Sequence, residues 1–146
     1  MDQLLTRPMN IITRCTGLFR DDALADTGLT SGQVTYLLRI CHKPGLTQEE
    51  LARSLYVHKS SVTRTLAALE GEGWITRVPD AADRRALRVY PTAKAEAIRP
   101  RLRAMLHQWS DYLTAELTDA EAAQLHSLLE RVALRAEQWA EGRAAE

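Results

Sequence analysis

Long apolar runs are absent from this sequence. No stretch approaches the roughly 18 to 20 consecutive apolar residues of a membrane helix, and the N-terminus has no basic segment followed by an apolar core. Neither a membrane span nor a secretion signal is therefore expected, and a cytoplasmic location follows. Cysteine is scarce: Cys15 and Cys41 are too few and too far apart for a disulfide scaffold, a zinc ribbon or a redox dithiol. The histidines, His42, His58, His107 and His126, include no pair at the i, i+4 spacing of a helical metal site, so no metal is expected. Only seven glycines and five prolines occur, against 45% hydrophobic and 26% charged residues, which excludes disordered and low-complexity architectures. A Gly-rich phosphate loop, a nucleophile elbow and a paired-carboxylate arrangement are also missing. The chain is not expected to be an enzyme, and it calls for no cofactor.

What is present is 146 residues, enough for one ordinary domain with a real core. The formal net charge is zero, but it is unevenly spread. Between Arg53 and Arg88, the cations Arg53, Lys59, Arg64, Arg77, Arg84, Arg85 and Arg88 outnumber Glu70, Glu72, Asp80 and Asp83 by three. From Asp111 onward acidic residues exceed Arg131, Arg135 and Arg143 by five. Such asymmetry predicts one end that meets phosphate and one that does not.

Helical periodicity dominates. Thr30 with Gln33, Thr47 with Glu50, and Thr118 with Glu121 fit the capping box, which places three helix starts. Val34, Leu37, Leu38 and Cys41 form one apolar stripe, ended by Lys43, Pro44 and Gly45. Ile11, Ile12, Cys15, Leu18 and Phe19 form another, which predicts a first helix over about residues 8–24. A helical period from 92 to 116 contains Pro100, which should remove one backbone bond and bend the helix. After Thr118, Leu125, Leu128, Leu129, Val132, Ala136 and Trp139 continue the pattern. The one break lies between Trp74 and Tyr90, where 74–78 and 87–90 are rich in β-branched and aromatic residues around a polar connection, predicting a two-stranded hairpin with a basic tip.

From Thr47 to Gly73 the pattern is two helices and a short turn. The second begins near His58 and should bury Val62, Leu66 and Leu69, leaving Lys59, Ser60, Ser61, Thr63, Arg64 and Ala67 on the other face. Small hydroxyl side chains and cations without bulk are what a helix entering a major groove needs. The hairpin that follows carries Arg84 and Arg85 at its tip, within reach of the neighbouring minor groove, with Asp83 expected to orient one of them.

The run Pro44, Gly45, Leu46, Thr47, Gln48, Glu49, Glu50, Leu51, Ala52 resembles the first helix of the DNA-binding motif in multiple antibiotic resistance regulator (MarR) repressors. Lys59, Ser60, Ser61, Val62, Thr63, Arg64 with Leu66, Leu69 and Glu70 is similar to their recognition helix, Asp80, Ala81, Ala82, Asp83, Arg84, Arg85 to their wing, and Pro91, Thr92, Ala93, Lys94 to the start of their fifth helix. The resemblance spans about residues 44–94. It departs at His58, where the family more often has Asp or Asn, and an imidazole caps a helix less well.

The resemblance implies a mainly α fold with a small β-hairpin wing: a winged helix-turn-helix domain plus a helical dimerisation region formed by the N- and C-terminal helices. Residues 1–146 would be a single MarR-like domain, with about 30–91 as the DNA-binding lobe and about 1–29 and 92–146 as dimerisation helices. It implies an obligate homodimer on a palindromic double-stranded DNA operator, and a small-molecule effector, or cysteine oxidation, that changes the spacing of the reading lobes. The expected DNA-binding residues are Thr47, Gln48, Lys59, Ser60, Ser61, Thr63, Arg64, Arg84 and Arg85, with Asp80 and Asp83 orienting the wing. An effector is expected between the first helix, the Thr30 helix and the long Thr92 helix, on segments carrying Cys15, Tyr36 and Trp109. Two alternatives stay open: a thiol-based redox sensor using Cys15 or Cys41, or a winged-helix module that binds protein. Both cysteines sit on apolar helical stripes, which favours a structural role for each as a small hydrophobe.

Overall fold

The computed structural model describes residues 4–144 of the chain. In chain order it has α1 (Thr6–Ala23), α2 (Ser31–His42), β1 (Leu46–Thr47), α3 (Gln48–Leu55), α4 (Lys59–Gly71), β2 (Ile75–Pro79), β3 (Leu87–Pro91), α5 (Ala93–Thr114) and α6 (Asp119–Ala144). Two compact units divide after His107, inside α5.

All three expected capping boxes form. The Thr30 hydroxyl accepts from the Gln33 N–H at 3.3 Å while Gln33 Oε1 accepts from the Thr30 N–H at 2.9 Å. The same reciprocal pair joins Thr47 to Glu50 at 3.1 and 2.8 Å, and Thr118 to Glu121 at 3.2 and 2.9 Å. Each satisfies two backbone donors that a helix start leaves without partners. α5 runs through Pro100 as one helix.

The first unit has one core. Leu24 after α1, Val34, Leu37 and Ile40 of α2, Leu51 of α3, Val62, Leu66 and Leu69 of α4, Ile75 and Val89 of the sheet, and Leu102 of α5 are all buried in it. The apolar stripes read from the sequence thus meet on α2, α4 and the start of α5. On α1 the agreement is partial: Phe19 and Ala23 pack against the core, but Ile11, Ile12, Cys15 and Leu18 are exposed. Cys15, which its stripe suggested would be a buried hydrophobe, is exposed in the single chain along with its apolar neighbours on that helix. Cys41 is buried, and its thiol is pushed up mainly by that burial.

The sheet has three strands, where the sequence pattern predicts two. Its order is β1-β3-β2, antiparallel throughout, with Leu46 opposite Val89 and Thr47 opposite Arg88 on one side of β3, and Ile75 opposite Pro91 through Pro79 opposite Leu87 on the other. A two-residue strand carries no periodicity to detect. It depends on Gly45, which adopts φ 87° and donates its N–H to the Val89 carbonyl at 2.8 Å. A Cβ there would also lie 3.2 Å from the Tyr90 hydroxyl oxygen.

The end of α4 is closed by a Schellman arrangement. Gly73 takes φ 80°, its N–H reaches the Glu70 carbonyl at 3.0 Å, and the Trp74 N–H reaches that of Leu69 at 2.9 Å. Two residues of the Pro91–Lys94 run then tie this corner to α5. The Thr92 hydroxyl donates to the Gly73 carbonyl at 2.7 Å, and Lys94 Nζ donates to that of Glu72 at 2.7 Å while lying 4.0 Å over the Trp74 ring.

The second unit holds the last turns of α5 and all of α6. Trp109 and Tyr112 stack at 5.6 Å between ring centroids. On α6, Leu125, Leu128, Leu129, Val132 and Trp139 stand exposed, Trp139 at 66%.

Because Gly45 combines a left-handed backbone with a tight neighbour, Gly45→Ala should lower stability by about 1–2 kcal/mol. Urea unfolding with an unchanged midpoint would refute the strain argument.

Candidate nucleic-acid interface

The interface grows from the α3–α4 pair. Thr47 starts α3, and accepting the Thr47 N–H holds the Glu50 carboxyl below the usual carboxylate range. The turn after α3 is made by Tyr56 at φ 55°, a left-handed conformation unusual for a bulky residue, and the Val57 N–H returns to the Ala52 carbonyl at 3.1 Å. α4 then begins at His58, whose side chain makes no cap, in keeping with the weak capping expected of an imidazole.

On α4, Val62, Leu66 and Leu69 are buried, while Lys59, Ser60, Thr63 and Arg64 are exposed and Ser61 is half-buried. The Thr63 hydroxyl donates to the Lys59 carbonyl at 3.0 Å, which commits its proton and leaves the oxygen only acceptor capacity. Glu49 lies 3.8 Å from both Lys59 and Arg53, and pairs this exposed contribute little to stability.

The wing between β2 and β3 is held by carboxylates. Asp80 receives the Nε–H of Arg88 on one oxygen and the Asp83 N–H at 3.1 Å on the other. The Arg88 hydrogen bond, then the Asp83 backbone, hold the Asp80 carboxyl below its ordinary range, and Asp80 raises Arg88 in turn. Arg88 reaches further, donating Nη1 to the Gly45 carbonyl at 2.6 Å, which fastens the wing to the residue before β1. Asp83 accepts the Arg85 N–H at 3.0 Å, with Arg85 Nε at 3.6 Å. Both Arg84 and Arg85 are exposed, the Arg85 side chain at 96%.

Six of the expected site residues, Thr47, Gln48, Lys59, Thr63, Asp83 and Arg85, line one cleft of about 380 Å³ between α3, α4 and the wing. Ser60, Ser61, Arg64, Arg84 and Asp80 lie outside its lining. The expected effector residues are dispersed in character: Cys15 is exposed on α1, Tyr36 is part of the first unit's core, and Trp109 belongs to the second unit.

Two cations of the basic segment, Arg77 and Arg88, are tied into the fold by partners elsewhere in the chain. Arg88 is committed to Asp80, and Arg77 grips both oxygens of Glu70 at 3.0 and 3.2 Å and Gln48 Oε1 at 3.1 Å. Their partners lie 7 to 29 residues away along the chain, and no local spacing marks them.

Comparison with known proteins adds to this geometry. The model of the MarR family matches residues 29–87. An uncharacterised HTH-type transcriptional regulator of Bacillus subtilis (strain 168), YybA, is 30% identical over 128 residues, covering 88% of this chain and 85% of that protein. A crystal structure of MarR superposes with a TM-score of 0.88 at 33% identity, covering 94% of each chain. A mutant MarR from E. coli complexed with operator DNA superposes with a TM-score of 0.79 at 28% identity, covering 88% of this chain and 92% of that one.

A carboxylate whose folded pKa is depressed stabilises the fold above its unfolded value, near 3.9 for Asp, and loses that contribution as pH falls through the folded value. The Asp80 brace should accordingly stay intact at pH 5 and loosen only below about pH 4. Carbon-13 titration of the Asp80 carboxyl should give a midpoint below 3.9 that moves up in Arg88→Ala. An ordinary midpoint in the unmodified protein would contradict the brace.

Proposed function

The chain belongs to the MarR family of transcriptional regulators, and on that premise we propose that it is a repressor that binds a palindromic operator as a homodimer and is released by a small-molecule ligand. The family places it among DNA-binding regulators and not among enzymes. What carries the proposal is the cleft beside α4, where Thr47, Gln48, Lys59, Thr63 and Arg85 bring hydrogen-bonding and cationic groups together over an apolar floor of Val62, Ala86 and Leu87, with Glu49 and Asp83 beside the cations. A protein-binding winged helix would have no use for a cationic tip held out on a carboxylate-anchored loop.

Labour divides between helix and wing. Lys59, Ser60, Ser61, Thr63 and Arg64 would read the major groove, where each base pair shows a distinct pattern, with Thr47 and Gln48 on the adjoining backbone. Arg84 and Arg85 would enter the minor groove, where the pattern is degenerate but the negative potential is strong, with Asp80 and Asp83 setting their position.

Dimerisation is supported by the uncovered apolar residues of α1 and α6. Stripes of this kind ask for a partner, and a two-fold contact between identical chains is the commonest. In this reading residues of about 30–91 read DNA, and those of about 1–29 and 92–146 hold the dimer. An effector would act against α1, α2 and α5 by preferring one spacing of the two reading lobes. A redox version of release would have to use Cys15, since the Cys41 thiol is buried and held up.

Arg64→Ala should relax operator discrimination by roughly 1–3 kcal/mol, while Arg85→Ala should weaken all sequences and flatten the salt dependence. Titrations of selected and random duplexes at several salt concentrations check this, and an Arg85→Ala protein with unchanged affinity and salt slope would remove the wing from the mechanism. Sedimentation at micromolar concentration should show a dimer. A monomer there would remove the palindrome argument.

A further inference from the structure

We propose that Arg77 is a positioning residue for DNA recognition: by gripping Glu70 and Gln48 together, it presents the Gln48 amide to DNA as a hydrogen-bond donor. This inference rests on the DNA-binding reading above and assigns a role to a cation that does not itself face the duplex.

The geometry joins three elements. Arg77 lies on β2, Glu70 near the end of α4, and Gln48 is the first residue of α3. Nε and Nη2 of Arg77 meet the two oxygens of Glu70 at 3.2 and 3.0 Å, a fork-to-fork pairing that fixes the plane of the guanidinium. The remaining arm, Nη1, donates to Gln48 Oε1 at 3.1 Å. The Arg77 side chain is only 19% exposed, so these contacts occupy a sheltered group and not a solvated one.

The chemistry of the guanidinium determines which way the amide points. Arginine has donors and no acceptor, so the atom of Gln48 that faces it must be the carbonyl oxygen. The Nε2 group, with two N–H donors, then lies on the other side of the amide. Gln48 lines the cleft shared with Lys59, Thr63 and Arg85. A phosphate only accepts hydrogen bonds, so an amide with its orientation set in advance binds one without first choosing a rotamer. Without Arg77 the amide is free to turn, and half of its orientations would set oxygen against phosphate oxygen.

The test uses the full chain and a duplex that the unmodified protein selects from a randomised library. Gln48→Ala should weaken binding by roughly ten- to a hundredfold, as expected for one hydrogen bond to a charged group. Gln48→Glu keeps an acceptor for Arg77 but turns an oxygen toward DNA, and should weaken binding more than Gln48→Ala does. Arg77→Met should match Gln48→Ala, and Arg77→Lys should not rescue it, because an ammonium cannot hold both partners in one plane. The decisive measurement is the double-mutant cycle: Gln48→Ala with Arg77→Met should bind no worse than either alone. Glu70→Gln, which keeps the side-chain shape, serves as a third variant if Arg77→Met fails to fold, and should also weaken binding. Fully additive losses, or a Gln48→Glu protein that binds as the unmodified one does, would overturn the role of Arg77 while leaving DNA binding standing. An unmodified protein that selects no duplex would overturn both.

Discussion

Val62, Leu66 and Leu69 hold α4 by one side, and the rest of the structure depends on how well they do so. A helix offered to DNA has to leave its reading face uncovered, so its position must be set entirely from behind. Three fully buried apolar side chains on one stripe contribute roughly 1.5–3 kcal/mol each when removed from water, which is the scale needed to hold a helix with no cap at its start. The Schellman turn at Gly73 and the Lys94 and Thr92 contacts close the far end, so α4 is fixed at its back and its C-terminus while its N-terminal polar face stays open.

The same separation governs the charges. A chain with zero net charge meets a polyanion only if its cations are locally exposed and its carboxylates do other work. Asp80 and Glu70 do such work: each neutralises an arginine that ties elements together, Arg88 to the residue before β1 and Arg77 to the start of α3. Arg101 has a similar part away from the interface, forking onto Asp26 at 2.6 and 2.9 Å and capping the end of α1 through the Ala23 carbonyl. Arg64, Arg84 and Arg85 are left on the surface. Arginine therefore has two structural fates here, and partners from other segments distinguish them: Arg77, Arg88 and Arg101 each reach across the chain, and Arg101 does so while still exposed.

The apolar surface divides in a parallel way. The first unit closes its own core, from Leu24 to Met105. On α6 the residues at helical spacing remain in solvent, and so do Ile11, Ile12 and Leu18 at the start of α1. Side chains this apolar in such regular order are consistent with a contact that a single chain does not supply, and the two-fold assembly proposed above gives them one.

Much of the fold is local, and what is local was legible. Capping boxes at Thr30, Thr47 and Thr118 need only residues three apart, and the stripes on α2, α4 and α6 need only the helical period, so sequence alone determined where most helices begin and which faces are apolar. It also determined the polar face of α4 and the basic tip of the wing, since both are compositional. Tertiary structure decided what depends on contacts across the chain. The strand at Leu46 exists because Val89 pairs with it, Arg88 is a brace because the hairpin brings it back to Asp80, and Arg77 meets Gln48 across 29 positions. Cys15 and Cys41 occupy similar stripes, yet only Cys41 is covered. A periodic pattern says which side of a helix is apolar, but whether anything packs against that side is set by where the chain places its other elements.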